Sequence, residues 1–149
     1  MLEKRLSDDF ANIFKEFSIW TPNNRTAGWP DRGIQNKLEI IWFELKIIPY
    51  RRELELFKVS GLTSAQAAWL AKWQRGGGKC YLFLGFVNTL DELTHYGILR
   101  CGFWDTWLKL PKSLVRTTQL IKHTTDKWEI YEWFMKELRI DKVTRNLSR

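Results

Sequence analysis

The sequence is poor in the residues that build disulfide scaffolds and zinc sites. Its only two cysteines, Cys80 and Cys101, have neither CxxC spacing nor histidine neighbours. It also lacks any run of ~18 apolar residues, the minimum for a membrane-spanning helix. The first ten residues carry charges where a signal peptide has an apolar stretch. These absences, with a length of 149 residues, predict a single soluble domain in the cytoplasm.

Basic residues are in excess, and the excess is uneven along the chain. There are 24 lysines and arginines against 17 acidic residues, a net charge of +7. No acidic residue lies between Asp105 and Asp126, a stretch that contains Lys109, Lys112 and Arg116. This sign of charge suits a polyanionic partner, either a nucleic acid or an acidic membrane surface. The basic stretch itself is either a solvated face or a set of phosphate contacts.

The spacing of apolar residues predicts a mixed α/β domain. Helical intervals predict helices over roughly 2–18, from 62 to the glycines at 76–78, and from 125 or 126 onwards. Runs of β-forming residues predict strands over 30–35, 38–48, 79–87 and 96–103, with 49–61 as a connecting loop. Thr63 is the expected N-cap of the second helix. This order of elements is typical of a mixed α/β fold.

The strand predicted over 38–48 carries two charges in an otherwise apolar sequence. Its two faces consist of Ile41, Phe43, Leu45 and Ile47, and of Ile40, Trp42, Glu44, Lys46 and Ile48. A strand that is apolar on both faces is normally covered on both sides. Glu44 and Lys46 are therefore costly to bury unless they pair with each other or take part in chemistry.

The position of Asp31 relative to Glu44 depends on the hairpin loop. If Asn36-Lys37 is a two-residue loop, Asp31 faces Trp42 and shares a sheet face with Glu44, at a diagonal of roughly 7–8 Å. A four-residue loop places Asp31 on the same face, and a three-residue loop turns it to the opposite face. The hypothesis that the two carboxylates share a cation therefore requires a loop with an even number of residues.

Two carboxylates and a lysine on one sheet face suit phosphodiester hydrolysis. Mg²⁺ prefers oxygen ligands and usually takes only one or two carboxylates from a protein. When bound it neutralises developing charge and acidifies water, while Lys46 could hold or deprotonate that water or stabilise the phosphate. The alternative is an ordinary ion pair between Glu44 and Lys46.

Three segments together resemble the PD-(D/E)XK nuclease superfamily, and within it the VRR-NUC type found in phage and in structure-specific nucleases. They are Gly28-Trp29-Pro30-Asp31, Phe43-Glu44-Leu45-Lys46 and Leu62-Thr63-Ser64-Ala65-Gln66, followed by a glycine-rich turn and an apolar strand. The resemblance implies a restriction-endonuclease-like core, a central mixed sheet flanked by helices. It covers residues 1–87 and leaves 88–149 as a C-terminal extension of the same domain.

The resemblance also implies roles for individual residues. Asp31, Glu44 and the backbone carbonyl of Leu45 would bind Mg²⁺, for which Mn²⁺ would substitute, and Lys46 would be the catalytic lysine. Gln66 would support the bound water or Lys46, although Thr63 and Gln66 also have the spacing of a capping box. The acidic residue of the first helix would be Glu3, which the helical spacing places on the buried stripe, with Asp9 as its rival.

Further candidates would contact DNA. Arg25 and Arg32 flank the Pro-Asp motif and either hold phosphates or are plainly solvated. Trp29 could stack on an unpaired base. Most of the other tryptophans are at core spacing and are expected in the interior or at a dimer seam: Trp42, Trp69, Trp73, Trp128 and Trp133.

These observations predict a Mg²⁺-dependent endonuclease that cuts branched DNA, similar to a phage Holliday junction resolvase. The sequence has no recognisable base-reading module, so selection would be by shape. Symmetric resolution of a four-way junction needs two active sites, which predicts a homodimer. The alternatives are a site-specific, flap or restriction-like nuclease, and a non-catalytic DNA-binding module on the same fold.

Overall fold

A central sheet with helices on both faces forms the core of the protein. The computed structural model describes residues 1–22, 28–49, 56–59, 62–100 and 114–147. Within these ranges the helices are α1 (Leu2–Ile13), α2 (Ser64–Arg75) and α3 (Lys127–Leu147), with a 3₁₀ turn at Thr117–Gln119. The strands are β1 (Ser18–Trp20), β2 (Arg32–Asn36), β3 (Glu39–Pro49), β4 (Leu56–Lys58), β5 (Cys80–Val87), β6 (Leu93–Arg100), β7 (Leu114–Arg116) and β8 (Lys122–Thr124).

The main sheet is mixed, as the fold-class prediction requires. Its six strands follow the order β1-β2-β3-β5-β6-β8, and β4 and β7 form a separate antiparallel pair. β3 and β5 are parallel, joined through α2, and the other neighbours in the main sheet are antiparallel. β3 and β5 therefore occupy the sheet centre, which explains why their sequences are the most continuously apolar.

Both faces of the sheet are covered. α1 and α3 pack on the face that contains Ile41 and Phe43, where Phe10 and Phe14 contact the Phe43 ring at centroid distances of 5.2 and 5.6 Å. α2 covers the opposite face, where Leu70 packs in one core cluster with Trp42. The prediction that the 38–48 strand is covered on both sides is confirmed, and Glu44 and Lys46 lie on the α2 face.

The hairpin between β2 and β3 differs in register from the prediction. Asn36 pairs with Glu39, so the two-residue loop is Lys37-Leu38 rather than Asn36-Lys37. The number of loop residues is even, as the cation hypothesis requires. The observed register sets Gly33 opposite Trp42, and a Cβ at Gly33 would lie only 2.8 Å from the indole ring. The large ring therefore occupies the space that a side chain on the neighbouring strand would fill.

Several predicted bounds also differ. α1 ends at Ile13 rather than near 18, because Phe14 and Phe17 pack onto the same core from a turn that follows the helix. β6 begins at Leu93, three residues before the predicted start. The predicted 49–61 loop contains β4, and β1, β7 and β8 were not predicted. Each of these four strands has only three residues, too short to show an alternating pattern.

No helix in the described ranges is long and apolar enough to cross a membrane.

Candidate active site

A polar cavity of about 380 Å³ opens at the start of α2, beside the middle of β3 and the first turns of α1. We call it the carboxylate cavity. It brings together all five residues that the sequence suggested for catalysis, namely Glu3, Asp31, Glu44, Lys46 and Gln66. Leu6, Ser7, Arg32, Leu45 and Ile47 complete its lining.

Glu44 is the most buried polar residue of the cavity, with 1% of its surface exposed. Its Oε1 accepts a hydrogen bond from Gln66 Nε2 at 3.0 Å and lies 3.3 Å from Lys46 Nζ. Its Oε2 is buried and has no hydrogen-bond partner among the described residues. A buried carboxylate oxygen without a partner is costly, so this atom is available for a further ligand.

Asp31 lies beside Glu44. Continuing the β2–β3 register by one residue sets Asp31 opposite Glu44, where side chains are about 4.5–5.5 Å apart at Cβ. The diagonal spacing expected from the sequence was therefore too long, because the hairpin turn lies one residue further along. Asp31 Oδ2 accepts a hydrogen bond from the backbone N–H of Leu45 at 2.9 Å, which ties its side chain to β3.

Burial and two charged neighbours alter the ionisation of Glu44. Burial raises the pKa of Glu44 to about 8 from an ordinary value of 4.5. The neighbouring Asp31 carboxyl adds to this rise, and the Lys46 ammonium opposes it. In the absence of a cation, a proton is therefore held in the cavity at neutral pH.

We expect the stability of the metal-free protein to fall between pH 6.5 and pH 8.5. The native state keeps the Glu44 proton up to a pKa of about 8, whereas the unfolded chain releases it near 4.5. Stability therefore decreases with pH between these values, by on the order of a few kcal/mol in total. Burial lowers the pKa of His95 and His123, whose contribution runs in the opposite direction and is confined to lower pH. Urea unfolding in EDTA measures the slope, and a flat profile above pH 6.5 would contradict the assignment.

Gln66 has both of the roles that the sequence left as alternatives. Its side-chain Oε1 accepts from the backbone N–H of Thr63 at 3.0 Å, and Thr63 Oγ1 accepts from the Gln66 N–H at 3.1 Å, which completes a capping box. The same Oε1 accepts from Lys46 Nζ at 3.4 Å, while Nε2 donates to Glu44. The cap therefore fixes the amide in the orientation that serves both charged residues.

Gly28 allows the Trp29-Pro30-Asp31 segment to approach α2. Its φ of +85° is in the left-handed region, and a Cβ there would lie 2.5 Å from the carbonyl oxygen of Ala65. Backbone atoms cannot move aside as a flexible side chain can. A glycine at this position thus has a physical reason, namely that the chain leading to Asp31 passes against the first turn of α2.

Gly28→Ala is expected to destabilise the protein more than Gly77→Ala does. Gly77 also has a left-handed φ, of +90°, but a Cβ there would meet nothing within 4 Å. Gly77→Ala therefore measures the conformational penalty alone, about 1–2 kcal/mol. Gly28→Ala adds the clash with Ala65 and should also displace Asp31. Equal free energies of unfolding for the two variants, measured in urea, would show that the close approach to α2 is unimportant.

The expected position of Glu3 is partly wrong. Its side chain is 84% exposed and lies 3.6 Å from the amino terminus of the chain, so it is not on the buried stripe. The inward stripe of α1 begins at Leu6 instead, and the first helical turn lies at the mouth of the carboxylate cavity. Its rival Asp9 does not line the cavity, since it accepts from the Tyr96 hydroxyl at 2.6 Å and pairs with Lys127 at 3.5 Å.

The residues suggested for DNA contact are spread over several places. Arg32 lines the cavity, where its guanidinium donates to the Asp31 carbonyl and to Ser7 Oγ, both at 2.7 Å. Ser7 was missed by the sequence analysis, although it lies one helical turn after Glu3. Trp29 is 41% exposed, and Arg116 is exposed on β7 and does not line the cavity. Arg25, Lys109 and Lys112 lie outside the described residues.

The cavity residues fit a hard divalent cation. Asp31 and Glu44 present carboxylate oxygens, one of which is buried without a partner. In the described ranges no group of three or more His, Cys, Asp or Glu side chains could hold a metal. A site with only two carboxylates suits Mg²⁺, which keeps several waters, better than it suits zinc.

Comparison with known proteins bears on the fold. The solved structure of Hjc, a Holliday junction resolvase from the archaeal hyperthermophile Archaeoglobus fulgidus, is similar with a TM-score of 0.53. The match covers 86% of this chain and 98% of that one, at 14% sequence identity. This chain has the same fold as Hjc. The restriction-endonuclease-like architecture expected from the sequence is thus confirmed, whereas the chain matches no family model and no curated protein.

Proposed function

We propose that this protein is a Mg²⁺-dependent endonuclease of the PD-(D/E)XK type that cuts branched DNA. The observation that carries the proposal is the buried Glu44 carboxylate, with one oxygen lacking a partner, beside Asp31 and Lys46. A structural ion pair would satisfy the carboxylate. Here one oxygen of the Glu44 carboxylate has no hydrogen-bond partner among the described residues.

Asp31, Glu44 and the backbone carbonyl of Leu45 would hold the Mg²⁺ ion, and Mn²⁺ should substitute for it. Bound in this position, the ion would neutralise developing charge on the phosphate and acidify a water molecule. In the hydrolysis the water would lose a proton as its oxygen bonds to phosphorus, one P–O ester bond would break, and the leaving oxygen would take up a proton.

Lys46 and Gln66 would prepare the site for this reaction. The ammonium of Lys46 lies within reach of both Glu44 Oε1 and Gln66 Oε1, at 3.3 and 3.4 Å. It can therefore orient the attacking water or stabilise the negative phosphate. Arg32, already fixed by Ser7 and the Asp31 carbonyl, would add positive charge at the rim.

The fold favours a branched substrate, and the charge favours a nucleic acid. Hjc, which has the same fold, is a Holliday junction resolvase, and the net charge of +7 suits a polyanion. Symmetric resolution of a four-way junction requires two active sites, so we propose a homodimer in solution. Sedimentation equilibrium tests the dimer independently of activity.

A matched set of DNAs tests the proposal. A four-way junction, a flap and a linear duplex, all with the same arm sequences, are incubated with Mg²⁺ and, in parallel, with EDTA. We expect the junction to be cut in Mg²⁺ but not in EDTA, and the duplex to be cut little in either. Equal cutting of all three DNAs would contradict shape selection, and cutting at one linear sequence would indicate a site-specific enzyme. Binding without any cutting would indicate a non-catalytic module.

A further inference from the structure

A second cavity, of about 350 Å³, lies next to the carboxylate cavity and is lined almost entirely by rings. We call it the tryptophan pocket. Its lining consists of Trp20, Thr21, Pro22, Trp29, Ile40, Trp42, Trp69 and Trp73. Trp29 contacts Trp42 and Trp69 at centroid distances of 5.9 and 5.5 Å, and Trp69 stacks on Trp73 at 5.5 Å and 14°. Two of these rings remain open to solvent, Trp20 at 51% and Trp29 at 41% exposure.

The chain itself sets the distance between this pocket and the carboxylates. Trp42 precedes Glu44 by two residues on the same face of β3, which is about 7 Å along a strand. Trp69 follows Gln66 by three residues on α2, about 4.5 Å along a helix. Trp29 in turn lies two residues before Asp31. The walls formed by Trp29, by β3 and by α2 are thus continuous with segments that carry residues of the carboxylate cavity.

Charge and size indicate what the pocket accommodates. The last turn of α2, the helix that carries Trp69 and Trp73, has two exposed basic residues, Lys72 and Arg75. Lys72 lines the adjoining cavity together with Trp69 and Trp73, where Glu39 is the acidic residue. A volume near the lower end of the ~300–1,000 Å³ range of small-molecule sites suits one flat ring system better than a peptide segment. Rings beside cations are the usual arrangement where proteins bind unpaired nucleotides.

We propose that the tryptophan pocket holds a single unpaired nucleobase of the DNA strand that is cut in the carboxylate cavity. The proposal rests on the proposed function and adds a requirement to it, namely an unstacked nucleotide next to the cleaved bond. Base stacking is interrupted at a branch point, so a nucleotide there costs less to unstack and unpair than one inside a continuous duplex. The pocket would therefore contribute to the selection of branched over linear DNA.

The test measures binding in EDTA, so that it does not depend on cleavage. The probes are four-way junctions that carry one unpaired adenosine, moved position by position across the branch point, and the same junctions with an abasic residue there. We expect loss of the base to weaken binding to the wild type by about five- to hundredfold at one or two positions. For the Trp29→Ala variant, removing the base from the DNA should change the Kd less than twofold. Trp29→Phe should restore part of the difference in Kd between the two DNAs.

Trp128→Ala is the matched control, because Trp128 is 44% exposed but lies on α3, outside the pocket. Trp128→Ala should keep the full difference between base and abasic DNA. If Trp29→Ala weakens binding equally for both DNAs, or leaves both unchanged, the pocket does not hold a base and a protein segment becomes its candidate occupant. Thermal unfolding shows whether Trp29→Ala folds, and Trp20→Ala provides a second variant on the open rim.

The outcome separates the two proposals. A base-dependent difference in EDTA with no cleavage in Mg²⁺ would support the pocket and overturn the nuclease. Junction cleavage with no base-dependent difference at any position would support the nuclease and overturn the pocket.

Discussion

Glu44→Gln is expected to abolish cleavage and at the same time to stabilise the metal-free protein above pH 8. The substitution keeps the size of the side chain but removes the negative charge that a cation requires. Loss of a metal-based stabilisation of several kcal/mol corresponds to about a 10³-fold or larger drop in kcat/KM. In the metal-free protein the same charge is buried and opposed by Asp31, which is why the pKa of Glu44 is about 8. A neutral side chain avoids that cost.

Single-turnover cleavage of a four-way junction and urea unfolding at pH 8.5 measure the two effects. Glu92→Gln is the control, because Glu92 is an exposed acid in the turn before β6 and does not line the carboxylate cavity. It should change neither measurement appreciably. Asp31→Asn should match Glu44→Gln in the loss of activity. A Glu44→Gln protein that is less stable than the wild type at pH 8.5 would show that Glu44 is a structural partner of Lys46.

The apolar faces of β3 could be predicted because the alternation of side chains along a strand follows from covalent geometry alone. Once Glu44 and Lys46 are assigned to one face and an even loop is assumed, Asp31 must share that face. The register was wrong by two positions, yet a shift of two leaves every side chain on the same face. Whether Asp31 shares a face with Glu44 depends only on the loop having an even number of residues. The Asp31–Glu44 separation depends on the exact register, in which the Trp42 ring lies against Gly33. Pattern analysis does not detect that contact.

The role of Gln66 could be predicted from the sequence only as one of two alternatives. From the sequence, a capping box and an active-site amide are alternative interpretations, because each explains the residue fully. One amide has two acceptor lone pairs on oxygen and two N–H donors. In the structure it satisfies Thr63, Lys46 and Glu44 together. Local signals for stability and for chemistry are therefore compatible when the cap lies at the mouth of the site.

Glu3 and the tryptophan pocket could not be placed from the sequence, because both depend on where elements end relative to one another. Glu3 has the same helical spacing as the buried residues of α1. Its side chain is nevertheless exposed, because the first turn of α1 lies at the cavity mouth rather than over the sheet. Trp42 and Trp69 are at core spacing and are indeed packed. The sequence does not reveal that their rings also border an opening beside the site.

Lys46→Met is expected to separate cleavage from binding. Methionine keeps most of the length of the side chain and its packing between β3 and α2, so that the loss of charge is the main change. The ammonium that would orient water or stabilise the phosphate is gone, and removal of one such group costs about 10²–10⁴-fold in rate. The Kd for a four-way junction in EDTA should change less than threefold, because one partly buried lysine supplies little of the attraction of a chain with a net charge of +7.

The pH profile gives the sharper test of this variant. Lys46 holds the pKa of Glu44 down, since its ammonium lies 3.3 Å from Oε1. Without it the Glu44 proton should be retained to higher pH, and the metal-free variant should lose stability with pH over a range displaced upward from that of the wild type. Lys136→Met, on the exposed side of α3, should leave both the cleavage rate and this profile unchanged. A parallel loss of cleavage and junction binding in Lys46→Met would instead mark Lys46 as a substrate-binding or structural residue, and the water-activating role would then have to lie elsewhere in the cavity.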